Sequence, residues 1–230
     1  ERISGNPDFN PELIISLGGS IISKKIKLLF RKFNPKQHWH VSNDEKVMDV
    51  FTSLTRIIPM EEDLFFENLI SRINISPKGK FKSLWLKEFF ISEKKHLEFM
   101  KTAPWSDLKA HQLISQSIPK DANLHLGNST SVRYVQLFNN TKNITFNGNR
   151  GVSGIDGSTS TALGAALASE LKTILITGDL SFVYDSNALW NNYVPKNLKI
   201  IVLNNNGGGI FKIIPGASTS KFSEENFVSN

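Results

Sequence analysis

Two short apolar runs, Thr173 to Thr177 and Leu198 to Leu203, are separated by a stretch from about Ser181 to Asn192 whose apolar residues recur at helical spacing. The pattern predicts a βαβ unit. Strands joined in this way run parallel, so the loops at their carboxyl ends emerge together on the edge of the sheet where α/β proteins meet ligands. One loop opens Gly178-Asp179-Leu180-Ser181 and the other Asn204-Asn205-Asn206-Gly207-Gly208. Asp179 and Asn205, 26 residues apart, are therefore expected side by side.

The same reading extends along the chain. Residues 11 to 18 predict a buried strand ending at Gly18-Gly19, Ser20 to Phe33 a helix, and Gln37 to Val41 the next strand. A helical pattern from about Glu61 to Ile73 is broken by Ser76-Pro77-Lys78-Gly79. Trp85, Phe89, Phe90, Leu97 and Met100, with charges between them, predict an amphipathic connecting helix. Pro104 and Trp105 close it, and Ser106 or Asp107 caps a helix through Ile118. The remaining expectations are strand Asn123 to Leu126, a helix through Phe138, strand Ile144 to Phe146, and a helix from Ser158 to Leu171. The domains expected are thus residues 1–75, part of an α/β domain; 76–104, a connector; and 105–230, a three-layer α/β/α parallel-sheet domain.

A carboxylate, an amide oxygen and the carbonyls of a glycine-bearing turn form a set of hard oxygen donors. Such a set suits Mg2+ (or Mn2+) that retains substrate phosphates as its other ligands, and the glycines let the backbone approach a diphosphate closely. Asp179, Asn205 and Gly207 are the metal-ligand candidates. Either loop alone would be an ordinary turn. Their pairing after two parallel strands points to a metal-diphosphate site.

Composition narrows the classes. The 230 residues include 27 Lys and Arg against 21 Asp and Glu, a net charge of +6, and no cysteine. The lysines are scattered on helix faces without an aromatic stacking pattern, so no nucleic-acid partner is expected. No apolar run of about 18 residues exists, so no membrane span is expected. The absence of cysteine removes disulfides and thiolate metal sites and fits a cytoplasmic protein. The five histidines read as structural.

The Gly-Asp pair followed one βα unit later by consecutive asparagines is similar to the thiamine diphosphate signature. Gly178-Asp179-Leu180-Ser181, Tyr184-Asp185 with Asn187-Ala188-Leu189, and Asn204 to Gly208 followed by Ile210-Phe211 resemble the SEPHCHC synthase (MenD) family. So do Asn149 to Gly157 and Gly127-Asn128-Ser129 with Arg133. The resemblance implies thiamine diphosphate and Mg2+ as cofactors. It implies decarboxylation of 2-oxoglutarate and addition of the resulting four-carbon carbanion to isochorismate, in menaquinone biosynthesis. Cofactor-binding residues implied are Gly127, Asn128, Ile155, Gly178, Asp179, Leu180, Ser181, Asn205, Gly207, Gly208 and Ile210. Ile155 would sit beneath the cofactor and bend it.

Substrate-binding residues implied are Lys24, Lys25, Ser129, Arg133, Arg150, Ile210, Phe211 and Ile214. For Lys24 and Lys25 an exposed charged helix face is the competing reading, and for Ser129 helix capping. The family's activating Glu lies in an amino-terminal pyrimidine-binding domain, which is not among these residues. The chain is therefore expected to be a carboxyl-terminal fragment, inactive alone, of an enzyme that is a homodimer or homotetramer. A different thiamine-dependent 2-oxoacid enzyme, and a phosphate-binding module without catalysis, stay open as alternatives.

Overall fold

The computed structural model describes residues 2–19, 21–44, 47–73, 79–138, 142–212, 216 and 219. The chain divides into two units, residues 1–102 and 103–230, and each is an α/β unit built on a parallel sheet. No helix among the described residues is long and apolar enough to cross a membrane.

In the first unit the strands β1 (Leu13–Leu17), β2 (Gln37–Val41) and β3 (Arg56–Ile58) lie in that order, all parallel. Helix α1 (Lys24–Phe33) crosses between β1 and β2. It starts at Lys24 rather than at the expected Ser20, because the Ser23 side chain accepts the Ile26 amide at 3.3 Å and so fixes the first turn. Ser20 itself lies outside the described residues, as do Ser76 to Lys78 of the expected break. Strand β3 was not anticipated. At three residues it has no readable period, and its identity comes from register with β2, Val41 facing Ile58.

Polar side chains are held within this sheet. The Ser16 hydroxyl lies 2.8 Å from Nε2 of His38 and 2.9 Å from Nδ1 of His40, while Thr55 bonds both the His38 amide and its carbonyl. His38 is buried, and its ring stacks at a tilt on Phe51, 5.2 Å between centroids. Burial lowers its pKa below the ordinary histidine value. Helices α2 (Glu62–Arg72) and α3 (Phe81–Thr102) complete the unit, and Phe9 packs edge-on against Trp85 of α3.

The second unit opens with α4 (Asp107–Ser117), capped by Ser106 through the Lys109 amide at 3.4 Å. Its sheet has the order β5-β4-β6-β7, from β4 (Asn123–Leu126), β5 (Thr145–Asn147), β6 (Thr173–Gly178) and β7 (Leu198–Leu203), all parallel. Residues 173 to 177 of β6 are all buried, as expected for an unbroken apolar run in the middle of a parallel sheet. Leu124, Leu175 and Ile176 form the center of the core.

The helices α5 (Thr130–Val135), α6 (Ser158–Leu167) and α7 (Asp179–Tyr184) are shorter than expected. Helix α6 ends at Leu167 rather than Leu171, where the Asn197 amide takes the carbonyls of Ala166, Ser169 and Leu171 at 2.7 to 3.0 Å. Helix α7 begins two residues before the expected Ser181. It stops at Asp185 instead of running to Asn192, and a separate 3-10 turn follows at Ser186–Leu189.

Candidate functional site

The carboxyl ends of β6 and β7 bring together the two loops that the apolar pattern paired. Asp179 is the first residue of α7, directly after β6, and its Oδ2 accepts the backbone N–H of Asn205 at 3.2 Å and of Gly207 at 2.9 Å. Its Oδ1 accepts the Leu180 amide at 2.7 Å. A carboxylate taking several backbone donors is held in one orientation without another charge. The loop takes its shape from Asn206, at φ 62°, and Gly207, at φ 117°. The Asn205 side-chain amide donates to Asp107 at 3.3 Å, and a Cβ on Gly209 would come within 3.3 Å of that same nitrogen. That arrangement turns the nitrogen of Asn205 toward α4 and leaves its oxygen as the free donor atom.

The donor set is thus one carboxylate, one amide oxygen and the backbone carbonyls of a glycine loop. No group of three or more His, Cys, Asp or Glu that could hold a metal exists among the described residues. Hard oxygens with a single charge suit a magnesium-class ion bound jointly with phosphate better than a zinc-class ion. Gly208 is buried, Ile210 is half-buried within the short turn Gly209–Lys212, and both extend the same loop. Ile214, and the side chain of Phe211, lie outside the described residues.

A second cluster surrounds the turn after β4. Gly127 passes so close to β6 that a Cβ there would lie 2.9 Å from Oγ1 and 3.1 Å from Cα of Thr177. Only glycine fits this approach. Asn128, 5% exposed, uses its whole side chain inside the protein: Nδ2 donates to the carbonyls of Asn149 (2.9 Å) and Gly154 (2.6 Å), and Oδ1 accepts from Nη1 of Arg150 at 2.5 Å. Any contact of Asn128 with a ligand is left to its backbone. Arg150 is brought to the 127–129 turn by that bond, and its Nε is buried without a partner among the described residues.

Ser129 adopts φ 71° and makes no side-chain capping bond to α5, so the helix-cap reading does not hold. A serine in that strained region costs about 1 kcal/mol or more, which is met chiefly where backbone geometry serves a site. Arg133 is exposed one helical turn farther along α5. Lys24 and Lys25 are exposed in the first turn of α1 in the first unit.

Ile155 sits half-buried in the loop between β5 and α6. Its carbonyl accepts the Ser181 hydroxyl at 2.5 Å, so that hydroxyl points to the loop. Asn149 bonds Gly157 at 3.0 Å and Thr161 at 3.1 Å, closing the loop on itself. Asn149 and Asp185 belong to the stretches that carry the family resemblance, but their spacing gives neither a role; the structure places them on Gly157, Thr161 and Ser160. The one local signal for them is that the capping position of α6 is Gly157, which has no side chain with which to cap it.

Residues 126–229 match the family model described as thiamine pyrophosphate enzyme, C-terminal TPP binding domain. Over 209 residues the chain is 48% identical to the 2-succinyl-5-enolpyruvyl-6-hydroxy-3-cyclohexene-1-carboxylate synthase of Flavobacterium psychrophilum, covering 91% of this chain and 38% of that protein. The proteins of the same name from Christiangramia forsetii (45% identical, 94% of this chain, 37% of that protein) and Porphyromonas gingivalis (43%, 92% and 38%) are similar in the same way. The chain spans a little over a third of the length of these relatives.

Proposed function

We propose, from the premise that this chain is a relative of the SEPHCHC synthases with a thiamine pyrophosphate-binding second unit, that it contributes the diphosphate and metal half of a thiamine-dependent transferase. The observation that carries the reading is the junction of Asp179 with the Asn205 and Gly207 amides. Asp179, the Asn205 oxygen and the Gly207 carbonyl would hold Mg2+ or Mn2+. Gly178, Leu180, Ser181, Gly208, Ile210 and the Gly127-Asn128 backbone would border the diphosphate.

Bound there, thiamine diphosphate would supply the electron sink for decarboxylation of a 2-oxoacid, which we take to be 2-oxoglutarate. The chain's own residues bind and orient. Ile155 would support the cofactor from the loop held by Asn128 and Ser181. Ser129, Arg133 and Arg150 would hold the carboxylates of the acceptor, isochorismate, with Ile210, Phe211 and Ile214 excluding water. A guanidinium donates two parallel bonds to a carboxylate and fixes its plane as well as its charge. The complete protein would work as a homodimer or homotetramer in the cytoplasm, where a further domain supplies the aminopyrimidine pocket and the activating Glu.

The test is Asp179→Ala in the full-length enzyme. It should abolish magnesium-dependent thiamine diphosphate binding with the fold intact by circular dichroism, and Asn205→Ala should weaken binding less. Unchanged cofactor affinity in the Asp179 variant would remove the metal assignment.

A further inference from the structure

We propose that Asp185 and Ser181, both on α7 and its end, are positioning residues that set the height and orientation of Ile155. The inference rests on the reading of Ile155 as the residue beneath the cofactor, and it names the side chains that hold it there.

The residue that caps the start of α6 is Gly157, which adopts φ 75° and offers no capping side chain. A helix start leaves N–H groups without intrahelical partners, and buried ones must find acceptors elsewhere. Asp185 provides one from another element. Its Oδ2 accepts the Ser160 amide at 2.7 Å and its Oδ1 accepts the Ser160 hydroxyl at 2.5 Å, with the residue 6% exposed. The carboxylate lies at the positive end of the α6 dipole, which offsets the cost of burying it. This engagement also explains why α7 stops where it does: Asp185 leaves helical geometry, at φ −126° and ψ 22°, to reach Ser160.

Ser181 stands four residues before Asp185, on the same face of α7. It is 5% exposed and donates to the Ile155 carbonyl. The two residues thus hold the Ile155 carbonyl in the loop and Ser160 in the first turn of α6, and only Asp156 and Gly157 lie between Ile155 and that helix. The same α7 begins with Asp179, bonded to the β7 loop. The six-residue helix α7 therefore joins the carboxylate proposed for the metal to the loop that carries the side chain proposed to shape the cofactor.

The experiment follows the Ile δ1 methyl groups of the whole 230-residue chain by NMR, with Asp185→Asn and Ser181→Ala. Asn keeps the size of Asp185 but presents an N–H2 to one of the two Ser160 donors, so exchange protection of the Ser160 amide should fall about ten- to hundredfold. The Ile155 methyl should change shift and gain mobility in both variants, while Ile174 and Ile176 in β6 stay unmoved as a control on folding. Asp185→Glu should restore part of the Ser160 protection and the Ile155 signal together.

An unmoved Ile155 methyl in Ser181→Ala, or in a folded Asp185→Asn whose Ser160 protection is lost, would overturn the proposal and leave Asp185 as a helix cap alone. Should Asp185→Asn fail to fold, Ser181→Ala decides by itself, since it removes a bond without stranding a charge. Thiamine diphosphate with Mg2+ is then added to the unsubstituted full-length enzyme. If the Ile155 methyl moves in the variants yet the cofactor leaves it unmoved in the full-length enzyme, the positioning stands and the cofactor reading fails.

Discussion

The two units are both parallel sheets with loops at the carboxyl ends of their strands, but they use polar side chains in different places. In the first unit Ser16, His38, His40 and Thr55 bond to one another within the sheet, tying β1 to β2 and to the residue before β3. In the second unit the sheet carries the Asn147–Asn123 link between β5 and β4 at 2.6 Å, whereas the links that join one loop to another lie beyond the strand ends. Asn128 ties the β4 turn to the loop at 149 to 154, Ser181 and Asp185 tie α7 to the start of α6, and Asp179 ties β6 to the β7 loop. Polar bonds inside a sheet specify register. The same bonds between loops specify where several backbone turns stand relative to one another, which is what a multi-point ligand requires.

The comparison is broken most severely at its tightest point. Gly127→Ala puts a methyl against the backbone of Thr177, and the strain of separating β4 from β6 should cost about 1 to 3 kcal/mol. Gly18→Ala in the first unit meets open space and bears only the penalty of φ 63°, about 1 kcal/mol. Thermal unfolding of the two variants should rank them in that order. The reverse order would mean that the close approach of β4 and β6 is not needed.

A finer cut separates binding from scaffold. On the proposed function, Arg133→Ala or Arg150→Ala in the full-length enzyme should each raise the apparent Michaelis constant for isochorismate about ten- to hundredfold, the loss of a charge-assisted carboxylate contact. Decarboxylation of 2-oxoglutarate should continue. For Arg150 a second effect is expected through Asn128, so loss on both substrates there, against loss on one for Arg133, would divide contact from support. Equal loss on both substrates for both arginines would indicate that neither faces the acceptor.

How much of this was legible in the chain depends on where each signal resides. Strands β2, β4 and β7 have the bounds expected of them, and the consecutive burial that marks a strand in the middle of a parallel sheet is seen in β6, at residues 173 to 177. The three-residue β3 and the end of α7 were not legible. Arg56 to Ile58 becomes a strand through pairing with β2, and α7 stops because Asp185 has a partner 25 residues earlier in sequence. The Asp179–Asn205 junction could be read because topology alone places those loops together. The inward commitment of the Asn128 side chain could not, since the partners of an amide leave no trace in local spacing.

The smallest expected effect concerns acid. Burial lowers the pKa of His38 in the first unit and of His111 and His125 in the second. All three are neutral when folded, whereas in the unfolded chain they take up protons near pH 6.5. Stability is therefore flat above that pH and falls as the pH drops toward the lowered folded values, by at most about 1.4 kcal/mol per pH unit for each histidine. With two such residues against one, the second unit should lose hydrogen-exchange protection more steeply between about pH 7 and 5. Equal slopes would show that other groups dominate the acid response.

The most direct test of the central claim is paramagnetic. Mn2+ and thiamine diphosphate added together to the 230-residue chain should broaden the amide signals of Asp179, Leu180, Asn205 and Gly207, even when binding is weak. Asp179→Ala should abolish that broadening. Mn2+ alone should produce far less of it, because the ion is held jointly by protein and phosphate. Broadening that survives in Asp179→Ala, or that gathers in the first unit at His38 and at Asp49, whose carboxylate lies 3.8 Å from the His38 ring, would contradict the assignment of the metal-diphosphate site to the ends of β6 and β7.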